Sequence, residues 1–351
     1  MLKIAIVNDS LMAAEALRRV IQDVPEYSLV WVAHNGQEAL ESCSRNRPDI
    51  LLMDLIMPVM DGIEATRRIS AEHGCAILIV TATVNGHAGR VFEAMGAGAL
   101  DAVNTPILGD TGQGEGNNVL INKINAIGTL LRGAPFRRGH VQPDISLRNN
   151  SDGVPLVAIG ASTGGPAALK DVLHALPRNP GFAIAVVQHV DEQFMKSFID
   201  WLNASVAIAV RQARAGDQPE ADSVLVCARE DHLILTAENV FDYTPDPTEL
   251  VFRPSVDVFF HSLAEHQENQ TAGVLLTGMG RDGAVGLGEL RRRGWLTIAQ
   301  DQDTSAVYGM PKAAKELDAA GKILPLDKIG PELLAWAEAI TPDGQGKRKS
   351  G

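Results

Sequence analysis

Short apolar runs recur along this chain, each followed by a turn and then by a stretch with helical periodicity, and that alternation confines it to an α/β fold with parallel sheets. The alternation comes in two series. In the first, strands are expected at 4–7, 29–33, 50–53, 76–80 and 102–103, with helices at about 10–23, 36–43, after Gly62, at 90–95 and at 117–131. In the second, strands are expected at 156–159, 183–188, 223–227, 232–236, 273–277 and 296–300, with helices between most of them. Between the series, residues 133–152 lack periodicity and are rich in Pro, Gly, Ser, Asn and charge, as an interdomain linker is. The expected organisation is therefore a doubly wound, flavodoxin-like unit at 1–132, the linker, a doubly wound parallel-sheet unit at 153–342, and a polar, disordered tail at 343–351.

Composition narrows the class further. A chain of 351 residues that is 45% hydrophobic can bury two cores, in keeping with the usual domain size. Its net charge of −12 argues against a nucleic-acid surface. Cys43, Cys75 and Cys227 are scattered and without metal spacing, which suits a reducing cytosol. Neither a charged leader nor a stretch of roughly twenty apolar residues is present, so a cytoplasmic protein without membrane insertion is expected.

In the first series Asp9 ends the first strand and Asp54 the third, so a parallel sheet brings both carboxylates to its C-terminal rim. Either could be a mere strand-end turn residue, but two such oxygen donors suit Mg²⁺. The run Met57-Pro58-x-x-Asp61-Gly62 makes a defined turn after Asp54, and Thr81 ends the fourth strand. These residues, with Met53-Asp54-Leu55-Ile56-Met57-Pro58 and Pro106, resemble a response-regulator receiver domain over about residues 1–132. The resemblance implies that Asp54 accepts a phosphoryl group from a histidine kinase. It also implies that Asp9 and the Ile56 carbonyl help hold Mg²⁺ and that Thr81 contacts the phosphoryl oxygens. Two positions depart from the family pattern: Asn8 replaces a second acidic residue and Thr105 replaces a lysine. The first weakens cation binding and the second removes a cation that would stabilise phosphoryl charge.

In the second series Ser162 lies in Gly160-Ala161-Ser162-Thr163-Gly164-Gly165, directly after an apolar strand. Such a turn can present a serine nucleophile beneath the amides of the next helix, or simply bind an anion. A nucleophilic serine needs a base and an orienting carboxylate. His189 follows the strand 183–188 and Asp282 follows the strand at 273–277, both on the rim that Ser162 occupies. His174, His261 and His266 fall in helical stretches and His232 opens a strand, which fits structural roles. His189 would act as general base and then acid, and Asp282 would orient it. Backbone amides near Thr163 and in the loop Gly278-Met279-Gly280 could donate to a developing oxyanion. The order Ser, His, Asp differs from that of α/β-hydrolases, which disfavours that fold.

The segment from about 153 to 340 resembles the catalytic domain of chemotaxis-type protein-glutamate methylesterases, the CheB family. The resemblance runs through Gly160–Pro166, Gln188-His189, Arg253-Pro254-Ser255-Val256-Asp257, Thr277-Gly278-Met279-Gly280-Arg281-Asp282-Gly283-Ala284, Ala299-Gln300-Asp301 and Tyr308-Gly309-Met310-Pro311. It implies hydrolysis of glutamyl methyl esters on methyl-accepting chemoreceptors, with deamidation of glutamines as a second activity, under control of a CheA-type histidine kinase. It also implies that the unphosphorylated receiver covers the hydrolase rim, so that Asp54 controls access to Ser162. Asn8, Thr105 and the segment 101–106 look most like the Wsp-type, surface-sensing branch. Two other classes stay open on the residues alone. One is a phosphorylation-controlled binding module, although Gly160–Gly165 lacks the G-x-G-x-x-G spacing of a dinucleotide site. The other is a receiver with a DNA-binding output, although the second half shows no basic recognition helix.

Overall fold

The computed structural model describes residues 1–81, 84–106, 115–131, 153–190, 192–248, 250 and 253–340. They fall into two compact units, divided between residues 139 and 140. The whole of the expected linker, 133–152, and the whole of the expected tail, 343–351, lie outside the described residues.

In the first unit the order is β1 Leu2–Val7, α1 Leu11–Gln22, β2 Tyr27–Ala33, α2 Gly36–Arg45, β3 Ile50–Met53, α3 Gly62–His73, β4 Ala76–Thr81, α4 Val84–Gly96, β5 Asp101–Asn104 and α5 Glu115–Leu131. The strands form one parallel sheet in the order β2-β1-β3-β4-β5. β3 and β4 are buried on both faces, which is why they read as continuous apolar runs. Strand order reverses between β1 and β3, and the crevice at their C-terminal ends is where α/β sheets place their sites. Asp9 and Asp54 lie there.

The second unit comprises β6 Leu156–Ala161, α6 Gly165–His174, β7 Ala183–Gln188, α7 Glu192–Ser205, β8 Ala209–Gln212, β9 Ser223–Val226, β10 His232–Leu235, β11 Phe241–Thr244, α8 Val256–His266, β12 Thr271–Leu275, α9 Ala284–Arg292, β13 Leu296–Gln300, α10 Met310–Glu316, β14 Lys322–Leu324 and α11 Leu326–Ile340. Seven strands form a parallel sheet in the order β14-β13-β12-β6-β7-β9-β8. The chain winds outward from β6 through β7, crosses back to β12, and winds outward on the other side. The switch point is thus the β6–β12 junction, with β7 beside it. Ser162, His189 and Asp282 follow β6, β7 and β12 respectively.

The strand expected at 232–236 is an exception to the parallel reading. As β10 it pairs antiparallel with β11 in a separate ribbon. Its inward face joins Phe241, Phe259, Phe260 and Leu263 in the core beneath α8, so burial by a helix makes it as apolar as a sheet strand.

Candidate active site

Close approach of backbone segments shapes the acidic rim of the first unit. A Cβ on Gly62 would fall 2.0 Å from the Asp54 carbonyl oxygen, and the Gly62 amide donates to Leu55 O at 3.0 Å. Only glycine lets α3 start against the loop that carries Asp54. Asp61 caps α3 by accepting from Glu64 N at 3.0 Å, and Arg90 donates to its other oxygen at 2.6 Å. Asp54 is tethered from both sides: its amide donates to Val7 O at 2.9 Å and its Oδ1 accepts from Leu55 N at 2.7 Å. Burial pushes the Asp54 carboxyl up, the Leu55 and Ile56 amides oppose that, and the Asp9 charge adds to it.

That like-charge repulsion is what a hard cation relieves. Two carboxylates and the Ile56 carbonyl are an all-oxygen donor set, and the pair Asp9 and Asp54 fits the Mg²⁺ of the receiver reading. Asn8, which stands where the family has a second acidic residue, accepts from the Ser10 amide on its Oδ1 at 2.8 Å and so shapes the turn into α1. Thr81 is buried, and its carbonyl accepts from Thr105 N at 3.0 Å, tying the two rim threonines together. The Thr105 hydroxyl is buried without a hydrogen-bond partner among the described residues.

In the second unit β6 delivers Ser162 into a tight turn whose unusual backbone conformation falls on Gly164 (φ +76°), with Pro166 in the first turn of α6. Ser162 is not among the non-glycine residues of positive φ, so this is not the strained elbow of the α/β-hydrolases. A Cβ on Gly165 would lie 2.0 Å from Gln188 Oε1. The same Gln188, fully buried, donates through Nε2 to the carbonyls of Ser162 (2.8 Å) and His189 (3.2 Å). The His189 amide donates to Ala161 O at 3.0 Å. One side chain therefore sets the spacing between the serine and histidine segments.

Asp282 faces His189, with Oδ2 2.9 Å from Nε2. Both side chains are 9% exposed, dry enough for their pairing to escape solvent screening. Asp282 also caps α8, with Oδ2 accepting from Val256 N at 2.6 Å and Oδ1 from Asp257 N at 3.0 Å. Burial alone would raise its carboxyl, but the His189 bond and these amides outweigh burial and hold it below the ordinary range. Asp257 returns the arrangement by accepting from Gly286 N at 2.8 Å, so each aspartate caps the other's helix.

The Asp257 carboxyl is pushed up to about 6, first by burial, against the Gly286 amide, and then by the Asp282 charge. Its native state thus keeps a proton that the unfolded chain releases between the ordinary carboxylate range and about 6, and stability falls as pH rises through that window. Asp257→Asn, which keeps the acceptor for Gly286, is expected to raise the Tm by a few degrees at pH 8 and to match the wild type near pH 4. Thermal unfolding at the two pH values measures this.

The glycine loop corrects one expectation. The Gly278 amide donates to Val307 O at 3.1 Å, and its carbonyl accepts from Gly309 N and Met310 N. Gly278 is therefore a spacer and not an oxyanion donor: a Cβ there would meet Met310 Sδ at 2.2 Å and Ser162 Cβ at 2.7 Å. Thr277 braces this wall, with its hydroxyl 3.0 Å from Thr163 O and its amide donating to buried Gln300 Oε1 at 2.8 Å. Gln300 and Thr277 carried no role in the sequence reading. Their signal was that each ends or follows a rim strand and stands inside a motif that carries the family resemblance. His232 is structural, as expected: fully buried, it accepts from Ser255 N on Nδ1 at 2.9 Å.

Fold and site together define the class: a receiver-type α/β unit with an acidic rim, joined to a parallel-sheet unit that gathers Ser, His and Asp at its switch point. Comparison with known proteins agrees. Residues 157–333 match the family model for the CheB methylesterase, and residues 4–111 that for the response regulator receiver domain. The chain belongs to the CheB methylesterase family. It is 52% identical over 337 residues to a protein-glutamate methylesterase/protein-glutamine glutaminase of Burkholderia lata, covering 96% of this chain and 99% of that one. It is 50% identical to one of Pseudomonas aeruginosa, covering 95% and 98%. The Thermotoga maritima CheB methylesterase catalytic domain superimposes with a TM-score of 0.51 at 34% identity, covering 52% of this chain and 99% of that domain.

Proposed function

We propose that this protein is a phosphorylation-regulated protein-glutamate methylesterase whose substrate is a methylated glutamyl side chain on a methyl-accepting chemoreceptor. The observation that carries it is the juxtaposition of Ser162, His189 and Asp282 on three neighbouring strand ends, with the histidine held by the aspartate. Asp282 takes the Nε2 side of the imidazole, so Nδ1 is the nitrogen that accepts the serine proton. Ser162 Oγ attacks the ester carbonyl carbon as His189 removes its proton. Collapse of the tetrahedral intermediate expels methanol, protonated by His189, and leaves an acyl-serine. Water activated by the same histidine then releases the glutamate. A glutamine would follow the same course with ammonia as leaving group, which suits the second activity in the relatives' names. The oxyanion would be received by the amides of Thr163, Met279 and Gly280.

In the first unit Asp54 accepts a phosphoryl group from a CheA-type histidine kinase. Mg²⁺ held by Asp9, Asp54 and the Ile56 carbonyl would offset the charge of the transferring group, and Thr81 would contact its oxygens. A phosphoryl group adds about −1.5 to −2 charges, enough to bias an interface and so open access to Ser162. Methanol release from methylated receptor membranes, compared between wild type and Ser162→Ala, tests the proposal. Retention of the rate in the variant would overturn it. Among the described residues no helix is long and apolar enough to cross a membrane.

A further inference from the structure

Asp282 is held by more than His189. Its Oδ1 accepts from Ser255 Oγ at 2.7 Å and Asp257 N at 3.0 Å, while its Oδ2 accepts from Val256 N at 2.6 Å and faces His189 Nε2 at 2.9 Å. Ser255 is itself fixed: it is 2% exposed, and its amide donates to His232 Nδ1 at 2.9 Å. The other ring nitrogen, Nε2, lies 3.3 Å from the Pro247 carbonyl, so it carries the proton and His232 is neutral.

We propose that Ser255 is a positioning residue of the esterase, whose hydroxyl holds the Asp282 carboxylate aimed at His189, with His232 fixing Ser255 from behind. This rests on the esterase reading of Ser162. The two backbone donors of α8 fix where the carboxylate sits, but only the serine hydroxyl can be removed without touching the main chain. Its bond goes to a charged acceptor, the kind that contributes most. The titratable groups around the cluster are His189 from the β7 end, Asp257 from α8, His232 from β10 and Arg281 of the same loop, which is paired with Glu316 at 3.0 Å. Ser255 Oγ and His189 Nε2 meet opposite oxygens of the Asp282 carboxylate, Oδ1 and Oδ2, so the serine holds the side of the group that the histidine leaves free to turn.

Without the hydroxyl, protonation of the Asp282–His189 pair becomes easier and the ring loses its aim. In Ser255→Ala, kcat for methanol release should fall about tenfold with KM little changed, and the acid limb of the rate profile should move to higher pH by about one unit. Ser255→Thr, which keeps the hydroxyl, should restore both. Ser255 also caps α8 through Val258 N at 3.3 Å, so Ser255→Cys, of nearly the same volume and a weak donor, serves if the alanine variant folds poorly. A purely structural serine would lower the amount of active enzyme and the Tm but leave the acid limb in place; an unmoved limb in both the alanine and cysteine variants overturns the proposal. Ser162→Ala in the same assay separates the two claims. If the wild-type rate does not depend on Ser162, the esterase reading fails. If it does and the limb stays put, only the role of Ser255 fails.

Discussion

Ser162→Ala is expected to lower methanol release by about 10⁴-fold or more while leaving the fold and the receiver unit intact. The magnitude follows from how the site is built. Ser162 is 6% exposed, and its main chain is fixed by Thr277 O, Gly165 N and Gln188 Nε2. None of those contacts uses its hydroxyl, so removing Oγ disturbs no backbone bond of the turn. What remains after the substitution is binding and oxyanion stabilisation, which on their own leave only a small part of the acceleration. Alanine keeps the Cβ of Ser162, for which the missing side chain of Gly278 leaves room, and adds no atom of its own. An unchanged Tm beside the lost rate would assign the loss to chemistry.

Asp282→Asn should cost about 10⁴-fold in kcat with little change in KM, because the amide would force the wrong hydrogen-bonding pattern on the imidazole. Here the effect has a second source. Asp282 accepts from two α8 amides and from the Ser255 hydroxyl, and an asparagine offers a single acceptor oxygen and an NH₂ that faces donors. The variant should therefore also lose stability, by about 1–3 kcal/mol for the donors left unpaired. Asp282→Ala should destabilise it comparably or more, since every one of those donors loses its partner. Kinetics over a pH range together with thermal unfolding measure both effects. A fully active asparagine variant would remove Asp282 from the mechanism.

Much of this site was legible in the chain because parallel strands buried on both faces leave continuous apolar runs, and the residues just past those runs share one rim. That is how Asp9, Asp54, Ser162, His189 and Asp282 could be placed without a structure. The less legible parts are those where periodicity carries no signal. β8, β11 and β14 were missed because β8 and β14 are edge strands and β11 belongs to a two-stranded ribbon, all with mostly exposed or half-buried residues, as Lys322–Leu324 shows. β10 was read correctly as a strand but assigned to the wrong sheet, since burial under α8 mimics burial within a parallel sheet. The Gly278 amide was misread as a free donor because its partner, Val307, lies in a loop far along the chain. Ser255 and Asp257 stood inside a recognisable motif, and a serine N-cap with an acidic first turn could have announced the helix. Nothing in the chain announced that its free N-terminus would receive Asp282.

Ser162 chemistry in one unit is expected to answer to phosphorylation of Asp54 in the other. Methanol release from methylated receptor membranes should be followed for the full chain and for Asp54→Ala, each with Mg²⁺ and with or without acetyl phosphate as a small phosphodonor. A faster rate with the phosphodonor is expected in the wild type, with no response in Asp54→Ala and no release from Ser162→Ala under either condition. Equal rates for the wild type with and without phosphodonor, after Asp54 has been shown to be phosphorylated, would contradict it.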